Sequence, residues 1–286
     1  MLKVADMAEY QRLVKRAKTE RGAKFTNQVL FPDSIQRYID MGRLGYEEQD
    51  AGIIFFADEE RFYECWYYLN EELPFRAGDW DKPVLIQHYF AGEKNERLQK
   101  MDAKLSAAGF VLSDTMRQYR ADAAQMLQKI RPLYEYARKK LGEDGFVYRP
   151  LAPEEAPLVR ELQDLTPEIP VHQLNYFSYD ELLEQQREGR SMGIFDRDGK
   201  LCAAHLFFPT GKTLNGWHLI RDEYKEAYGM GLIMKEHILS YAVEHGYGIS
   251  AWIVSTNTPS IRYHKKLGYE IINRSLDEWV LDPARE

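Results

Sequence analysis

The sequence predicts a mixed α/β chain built in two halves, and three observations carry that prediction. Strand-like and helix-like periodicities alternate through the second half in the order β-α-α-β-β-β-α-β-α-β-β. A fainter version of the same order runs through the first half. Between Ile220 and Leu232 a strand passes into a helix through two glycines one residue apart, in "YGMGL".

The first half opens with two helical stretches, "AEYQRLVKRAKTE" and "DSIQRYIDMG". "GIIFFADEERFYECWYYL" reads as a hairpin turning at Asp58 to Glu60. Its cluster Phe62, Tyr63, Trp66, Tyr67 and Tyr68 is read as packing within a buried strand rather than a base-stacking surface. "PVLIQHYFA" is a strand, "NERLQKMDAKLSAAG" a helix and "FVLSDTMRQYRAD" a strand pair. One βα unit is missing relative to the second half, and no glycine-rich turn follows the hairpin.

The joint lies near Gly142 to Gly145, after a helix from about Ala121 to Leu141, so domains 1–140 and 146–286 are expected. "FVYRPL" starts a strand and "APEEAPLVRELQDL" a helix; "VHQLNYFSYDELLEQQREG" is read as helical, and "SMGIFDRDGKLCAAHLFF" as a hairpin turning at Asp196 to Gly199. After the strand Leu214 to Ile220, apolar residues from Leu232 to Val243 recur at spacings of three and four, and His245-Gly246 closes that helix. "ISAWIV" is a strand. "TPSIRYHKKLG" is a short helix with Thr258 as N-cap, Pro259 at its first position and Gly268 as cap, and "YEIINRSLDEWVL" supplies the last strands.

Composition excludes several classes. With 44% apolar and 29% charged residues the chain has the make-up of a globular protein. A net charge of −7 argues against a nucleic-acid partner, which asks for a basic patch. Cys65 and Cys202 stand alone, which fits a reducing, cytoplasmic setting. No apolar run approaches membrane-spanning length, so no membrane role is expected. The seven histidines show no ligand spacing, and no metal is expected.

The glycine turn has two readings. It is an ordinary strand-to-helix connection, or an anion cradle in which unpaired N–H groups and the positive end of the helix dipole face a phosphate. Met234 stands where a dinucleotide fingerprint needs its third glycine, and no G-K-[ST] follows for a P-loop.

The stretch "LIRDEYKEAYGMGLIMKEHILSYAVEHGYGISAWIVSTNTPSIRYHKKLGYEI" resembles the core of the GNAT superfamily of N-acyltransferases. Gly229 and Gly231 match that family's loop R/Q-x-x-G-x-G/A; Asn257, Ser260, His264, Lys266, Gly268 and Tyr269 match its later motif N-x-x-A/S-x-x-x-Y/H-x-K-x-G-F. The resemblance is specific over about Phe146 to Leu281 and reaches residues 1–140 by topology alone. It implies a mostly antiparallel sheet flanked by helices in two related domains, the first a degenerate copy. It also implies direct transfer from acetyl-coenzyme A, or another acyl-coenzyme A, to a primary amine of a small molecule or peptide, without a metal.

Carried onto this sequence, the resemblance makes Leu219, Ile220, Arg221, Lys225, Tyr228, Gly229, Met230, Gly231, Leu232, Asn257 and His264 the coenzyme A contacts. His264, Tyr263, His218 and Glu223 are the catalytic candidates, with His264 as acid to the departing thiolate and His218 or Glu223 as base. Gln173, Asn175, Tyr176 and Tyr179 fall where the family lines its acceptor pocket. Glu226 stands at the family's Arg/Gln position, and Lys225 is read as the basic group instead. Two other functions stay open: an acyl-coenzyme A-binding or regulatory module without turnover, and aminoacyl transfer from tRNA, which the acidic charge disfavours.

Overall fold

A computed structural model describes residues 1–165, 177–224 and 229–284, in two compact units. Unit 1 comprises Met1–Met116 and the chain from Asn273 onward. Unit 2 comprises the described residues between Arg117 and Ile272.

Unit 1 holds β1 (Leu2–Lys3), α1 (Met7–Thr19), β2 (Phe25–Thr26), α2 (Pro32–Asp40), β3 (Leu44–Gln49), β4 (Gly52–Glu59), β5 (Phe62–Leu69), β6 (Val84–Phe90), α3 (Glu96–Ala107) and the start of β7 (Val111–Ala121). Capping starts its helices where the sequence offers a short polar side chain. Asp6 accepts from the N–H of Glu9 at 2.6 Å, and Asn95 from that of Leu98 at 2.9 Å. Tyr10, Leu13 and Ala17 of α1, and Leu98, Met101 and Leu105 of α3, then present buried stripes at helical spacing. The run Ile53–Ala57 has no polar face because both sides of β4 are covered. Ile53 and Phe55 join the core under α1 and α2, while Ile54 and Phe56 join the core under α3. Trp66 and Tyr68 fall on the first face, Cys65 and Tyr67 on the second, so the aromatic cluster is core on two sides.

Unit 2 holds the end of β7, α4 (Ala123–Glu143), β8 (Val147–Arg149), α5 (Ala156–Asp164), α6 (Tyr179–Arg187), β9 (Ser191–Phe195), β10 (Leu201–Thr210), β11 (Thr213–Ile220), α7 (Met230–His245), β12 (Gly248–Val254), α8 (Thr258–Leu267) and the start of β13 (Glu270–Leu281). Strands β8 to β11 pair as antiparallel neighbours in chain order, and β11 pairs with β12 in parallel. Side chains of β10 and β11 alternate between two faces. Ala204, Leu206 and Leu219 meet α5 and α6; Ala203, Phe207, Leu214 and Ile220 meet α4 and α7. Among the described residues no helix is long and apolar enough to cross a membrane.

Three expectations change. The division falls inside β7 and again inside β13, not between residues 140 and 146. Helix α4, assigned to the first half by sequence, puts Ala137 and Leu141 into one core with Met230, Ile233 and Met234 of α7. The segments read as strand pairs, Phe110 to Asp122 and Tyr269 to Leu281, are each one long strand.

Candidate active site

The site is built where β11 and β12 part. Their parallel ladder has three pairs, Thr213 with Gly248, Leu214 with Ile249 and Asn215 with Ser250. The hydroxyl of Ser250 donates to the side-chain oxygen of Asn215 and pins the last pair. Among the described residues β11 then continues to Ile220 and β12 to Val254 without pairing with each other, so two strand edges face a wedge. His218 stands in this wedge and is exposed to it, though protein surrounds the ring closely. Desolvation, then the charges of Lys235 and His264, push its pKa down to about 3, so it is neutral at physiological pH.

Helix α7 runs beneath the wedge. Its N-cap Gly229 adopts φ +71°, and a β-carbon there would lie 2.7 Å from that of Ala137, so the position needs glycine. Gly231 differs. Its φ is unexceptional, and a β-carbon would find the Tyr263 hydroxyl at 3.7 Å and Ile220 Cδ1 at 4.0 Å. Its missing side chain therefore leaves room at the helix start, where orphan N–H groups point outward.

Helix α8 supplies Tyr263 and His264. Asn257, rather than Thr258, is its N-cap, accepting from the Ser260 N–H at 3.0 Å, so this exposed asparagine performs a structural task. The Tyr263 hydroxyl is buried and has no hydrogen-bond partner among the described residues, and burial pushes its pKa up to about 12. His264 is buried, with Nδ1 donating to the Ser260 carbonyl at 2.8 Å. Burial, followed by the charge of Lys235, brings its pKa down to about 4. A neutral imidazole whose Nδ1 carries the proton has an acceptor at Nε2. The acid role expected of His264 does not fit this arrangement; Tyr263 retains a free O–H.

Lys235 is the residue that sequence reading missed. It lies on the buried, otherwise apolar face of α7, 6% exposed, and donates to the Tyr269 hydroxyl at 3.1 Å. Flanking contacts fix where it points. Gly216 of β11 meets Ile238 of α7, and Ile220 of β11 meets Gly231 of α7. His218 lies midway between the two strand residues, and Lys235 falls between the two helix residues on the same face. Lys235 is thereby set against His218, beneath the wedge. Burial pushes its pKa down to about 8. A buried ammonium without a carboxylate costs several kcal/mol, which makes the position conspicuous. The sequence held one signal of it: a lysine four residues after Gly231, inside an apolar helical stripe.

Behind His218, His205 of β10 stacks on it at 6.2 Å between centroids, and neither ring nitrogen of His205 has a partner among the described residues. His237 of α7 lies 6.0 Å from His205. Burial pushes the pKa of both down. Among the described residues no cluster of His, Cys, Asp or Glu is arranged to hold a metal.

Other expected residues are engaged elsewhere. Arg221 is buried, with Nε donating to the Leu201 carbonyl at 2.7 Å and a guanidinium N–H to Glu161 at 2.8 Å, while its backbone N–H serves Cys202. Neither its side chain nor its amide is free for a ligand. Glu223 pairs with Lys200 at 2.5 Å, which holds its carboxyl below the usual range and makes it a poor base. Leu219 points away from α7 into the core with Leu162 and Leu182. Tyr179 is exposed at the start of α6, 3.5 Å from Glu154. Lys225, Glu226, Tyr228, Gln173, Asn175 and Tyr176 lie outside the described residues.

Unit 1 contains a second parallel pair that parts, β5 with β6, paired only from Tyr63–Val84 to Cys65–Ile86. Its wedge is filled by the chain itself. Strand β2 pairs with Tyr68 and Leu69 of β5. Asn27 then spans the gap, donating to the carbonyls of Cys65 (3.3 Å) and Gln87 (3.2 Å) and accepting from the N–H of Tyr67 (2.9 Å). Residues 70–83 connect β5 to β6 without a helix, so nothing here corresponds to the start of α7.

Residues 191–280 match the family model described as FR47-like protein. No curated protein matches the chain. Among solved structures, a tandem GNAT protein from the clavulanic acid biosynthesis pathway is 15% identical with a TM-score of 0.54, over 98% of this chain and 97% of that one. A GCN5-related N-acetyltransferase-like protein from Streptococcus suis is 14% identical with a TM-score of 0.53, over 96% and 99%. A glucosamine N-acetyltransferase region of a fungal multi-domain GH3 β-N-acetylglucosaminidase is 10% identical with a TM-score of 0.59, over 98% of this chain and 37% of that one.

Proposed function

For a chain with the fold of the GNAT superfamily, we propose that unit 2 is an acyl-coenzyme A-dependent N-acyltransferase acting on a primary amine of a small molecule or peptide by direct transfer. One observation carries the reading: the wedge between β11 and β12 opens directly over a glycine-bearing helix start and an unpartnered tyrosine hydroxyl.

In this reading the amide N–H groups at Met230 and Gly231 receive the pyrophosphate, and the free strand edge beyond Asn215 receives the pantetheine amides as an added strand would. These residues fit acyl-coenzyme A: the place of a Gly231 side chain is vacant, and the Tyr263 hydroxyl lacks a partner. The thioester supplies the activated acyl group. His218, neutral and exposed to the wedge, orients the attacking amine or a water by hydrogen bonding; with its pKa at about 3 it does not keep the proton, which leaves through water. Tyr263 offers its O–H to the departing sulfur. Asn257 stabilises α8 and through it the placement of Tyr263.

Because Asn27 and β2 occupy the wedge of unit 1, one coenzyme A is expected per chain. Calorimetric titration with coenzyme A tests the binding, and turnover of acetyl-coenzyme A over a panel of amines tests the chemistry. Binding without turnover over that panel would favour a non-catalytic acyl-coenzyme A-binding module; no binding would remove both readings.

A further inference from the structure

We propose that the ammonium of Lys235 is the counter-ion for the negative charge that gathers on the leaving sulfur during acyl transfer, an inference that rests on the acyl-coenzyme A reading above. The geometry comes first. Lys235 is held against His218 by the register of α7 on β11, between the Gly216–Ile238 and Ile220–Gly231 contacts. Its one described hydrogen bond runs to Tyr269, whose ring meets that of His264 at 4.8 Å; the His264 ring in turn lies 5.4 Å from that of Tyr263. The lysine thus stands beneath the wedge with α8 beside it, inside the helix start rather than out on the phosphate loop.

Every ionisable group described around it is neutral or cationic. From β10 comes His205, from β11 His218, from α7 itself His237, from α8 Tyr263 and His264, and from just before β13 Tyr269. None supplies an anion. Burial alone shifts the lysine, with no carboxylate contributing, whereas burial first and the lysine charge after it depress His205, His218 and His264. A buried cation ringed by neutral groups is complementary to an anion that arrives with the ligand.

The chemistry of transfer generates such an anion at this place. The amine nitrogen attacks the thioester carbonyl carbon and the C–N bond forms. The C–S bond then breaks, its electron pair staying on sulfur. The proton lost by nitrogen finally neutralises the thiolate. An ammonium beneath the wedge stabilises the sulfur while it is charged, and contributes little to the neutral thioester, so its effect falls on the transition state.

Coenzyme A is itself the probe, because its thiol reports the field at the sulfur position. The thiol of the bound cofactor, followed by thiolate absorbance as pH rises, is expected to titrate about one unit or more below that of free coenzyme A, near 8.5. In Lys235→Met, which keeps the length and removes the charge, the depression should disappear while calorimetric affinity stays within about threefold, as expected when no phosphate contact is lost. A bound thiol that titrates like free coenzyme A in the wild-type chain overturns the proposal. So does an unchanged depression in Lys235→Met. A wild-type chain that binds no coenzyme A overturns the underlying reading as well, which separates the two failures.

Discussion

Two substitutions at Gly231 separate folding from ligand binding. Gly231 sits in the first turn of α7 at an ordinary helical φ, and the added methyl would meet the Tyr263 hydroxyl at 3.7 Å and Ile220 at 4.0 Å, both normal contacts. Alanine therefore restricts the unfolded chain without straining the folded one, a gain of about 0.4–1 kcal/mol. For a chain of this size that raises Tm by roughly 1–4 °C. The methyl lies against Tyr263 and Ile220, and the family loop that this turn resembles accepts alanine at the position, so coenzyme A affinity should hold within about threefold. Gly231→Glu puts a longer, anionic side chain at the same helix start, and a loss of about tenfold or more in coenzyme A affinity is expected, about 1.4 kcal/mol. Differential scanning calorimetry without ligand and titration calorimetry with it read the two effects. Gly229→Ala is the control of opposite sign, since its φ of +71° and the 2.7 Å approach to Ala137 strain the fold itself; the backbone conformation alone costs about 1–2 kcal/mol. Undiminished affinity in Gly231→Glu would refute the assignment of the α7 start as the phosphate site.

Tyr263→Phe removes a buried hydroxyl that has no partner to lose, so Tm should hold or rise while turnover falls by about 10²–10⁴-fold; lost stability with unchanged turnover would make the residue structural. Asn27→Ala breaks three hydrogen bonds across the wedge of unit 1 and leaves buried backbone groups unpaired, which should cost roughly 1–3 kcal/mol in urea unfolding. Its coenzyme A stoichiometry should remain one, and a value of two in the wild-type chain would contradict the filled wedge. His264, at about 4 in the folded chain against about 6.5 unfolded, binds fewer protons folded than unfolded between those values. Stability should therefore fall as pH drops from about 6.5 towards 4, by roughly 3 kcal/mol in total from this group, and His264→Gln should lose that part of the slope. Parallel profiles for the two chains would count against a buried neutral imidazole.

Much of the fold was legible because its elements obey local rules. The hairpin at Asp196 to Gly199, the α7 helix ending on Gly246 at φ +72° and the α8 helix ending on Gly268 at φ +101° are written in turn residues and periodicity. The unit boundary was not legible, because α4 has a capped start and a strong helical pattern that say nothing of which core receives its apolar stripe. Its partners, Met230, Ile233 and Met234, lie some ninety positions further along the chain. Arg221 and Glu223 misled for a related reason: both sit beside the glycine turn in sequence, yet β11 ends at Ile220, and the side chains just past its end turn to Glu161 and Lys200.

The two wedges show why topology alone does not make a site. Both units part a parallel strand pair after three rungs, at Cys65–Ile86 and at Asn215–Ser250. Backbone groups exposed by such a parting must be satisfied by protein, water or ligand. Unit 1 satisfies them internally, and the asparagine that does so comes from a segment nearly forty residues upstream of the strand it bonds, with no motif to mark it. Among its described residues unit 2 leaves them open, and beneath the opening stands a lysine that no described side chain neutralises. An unfilled edge and an unbalanced charge, set against each other by the register of one helix on one strand, are together what a ligand with amides and a developing thiolate would complete. Neither feature alone distinguishes a binding site from a folding accident; their coincidence at His218 and Lys235 is the reason to look for acyl transfer in unit 2 and not in unit 1.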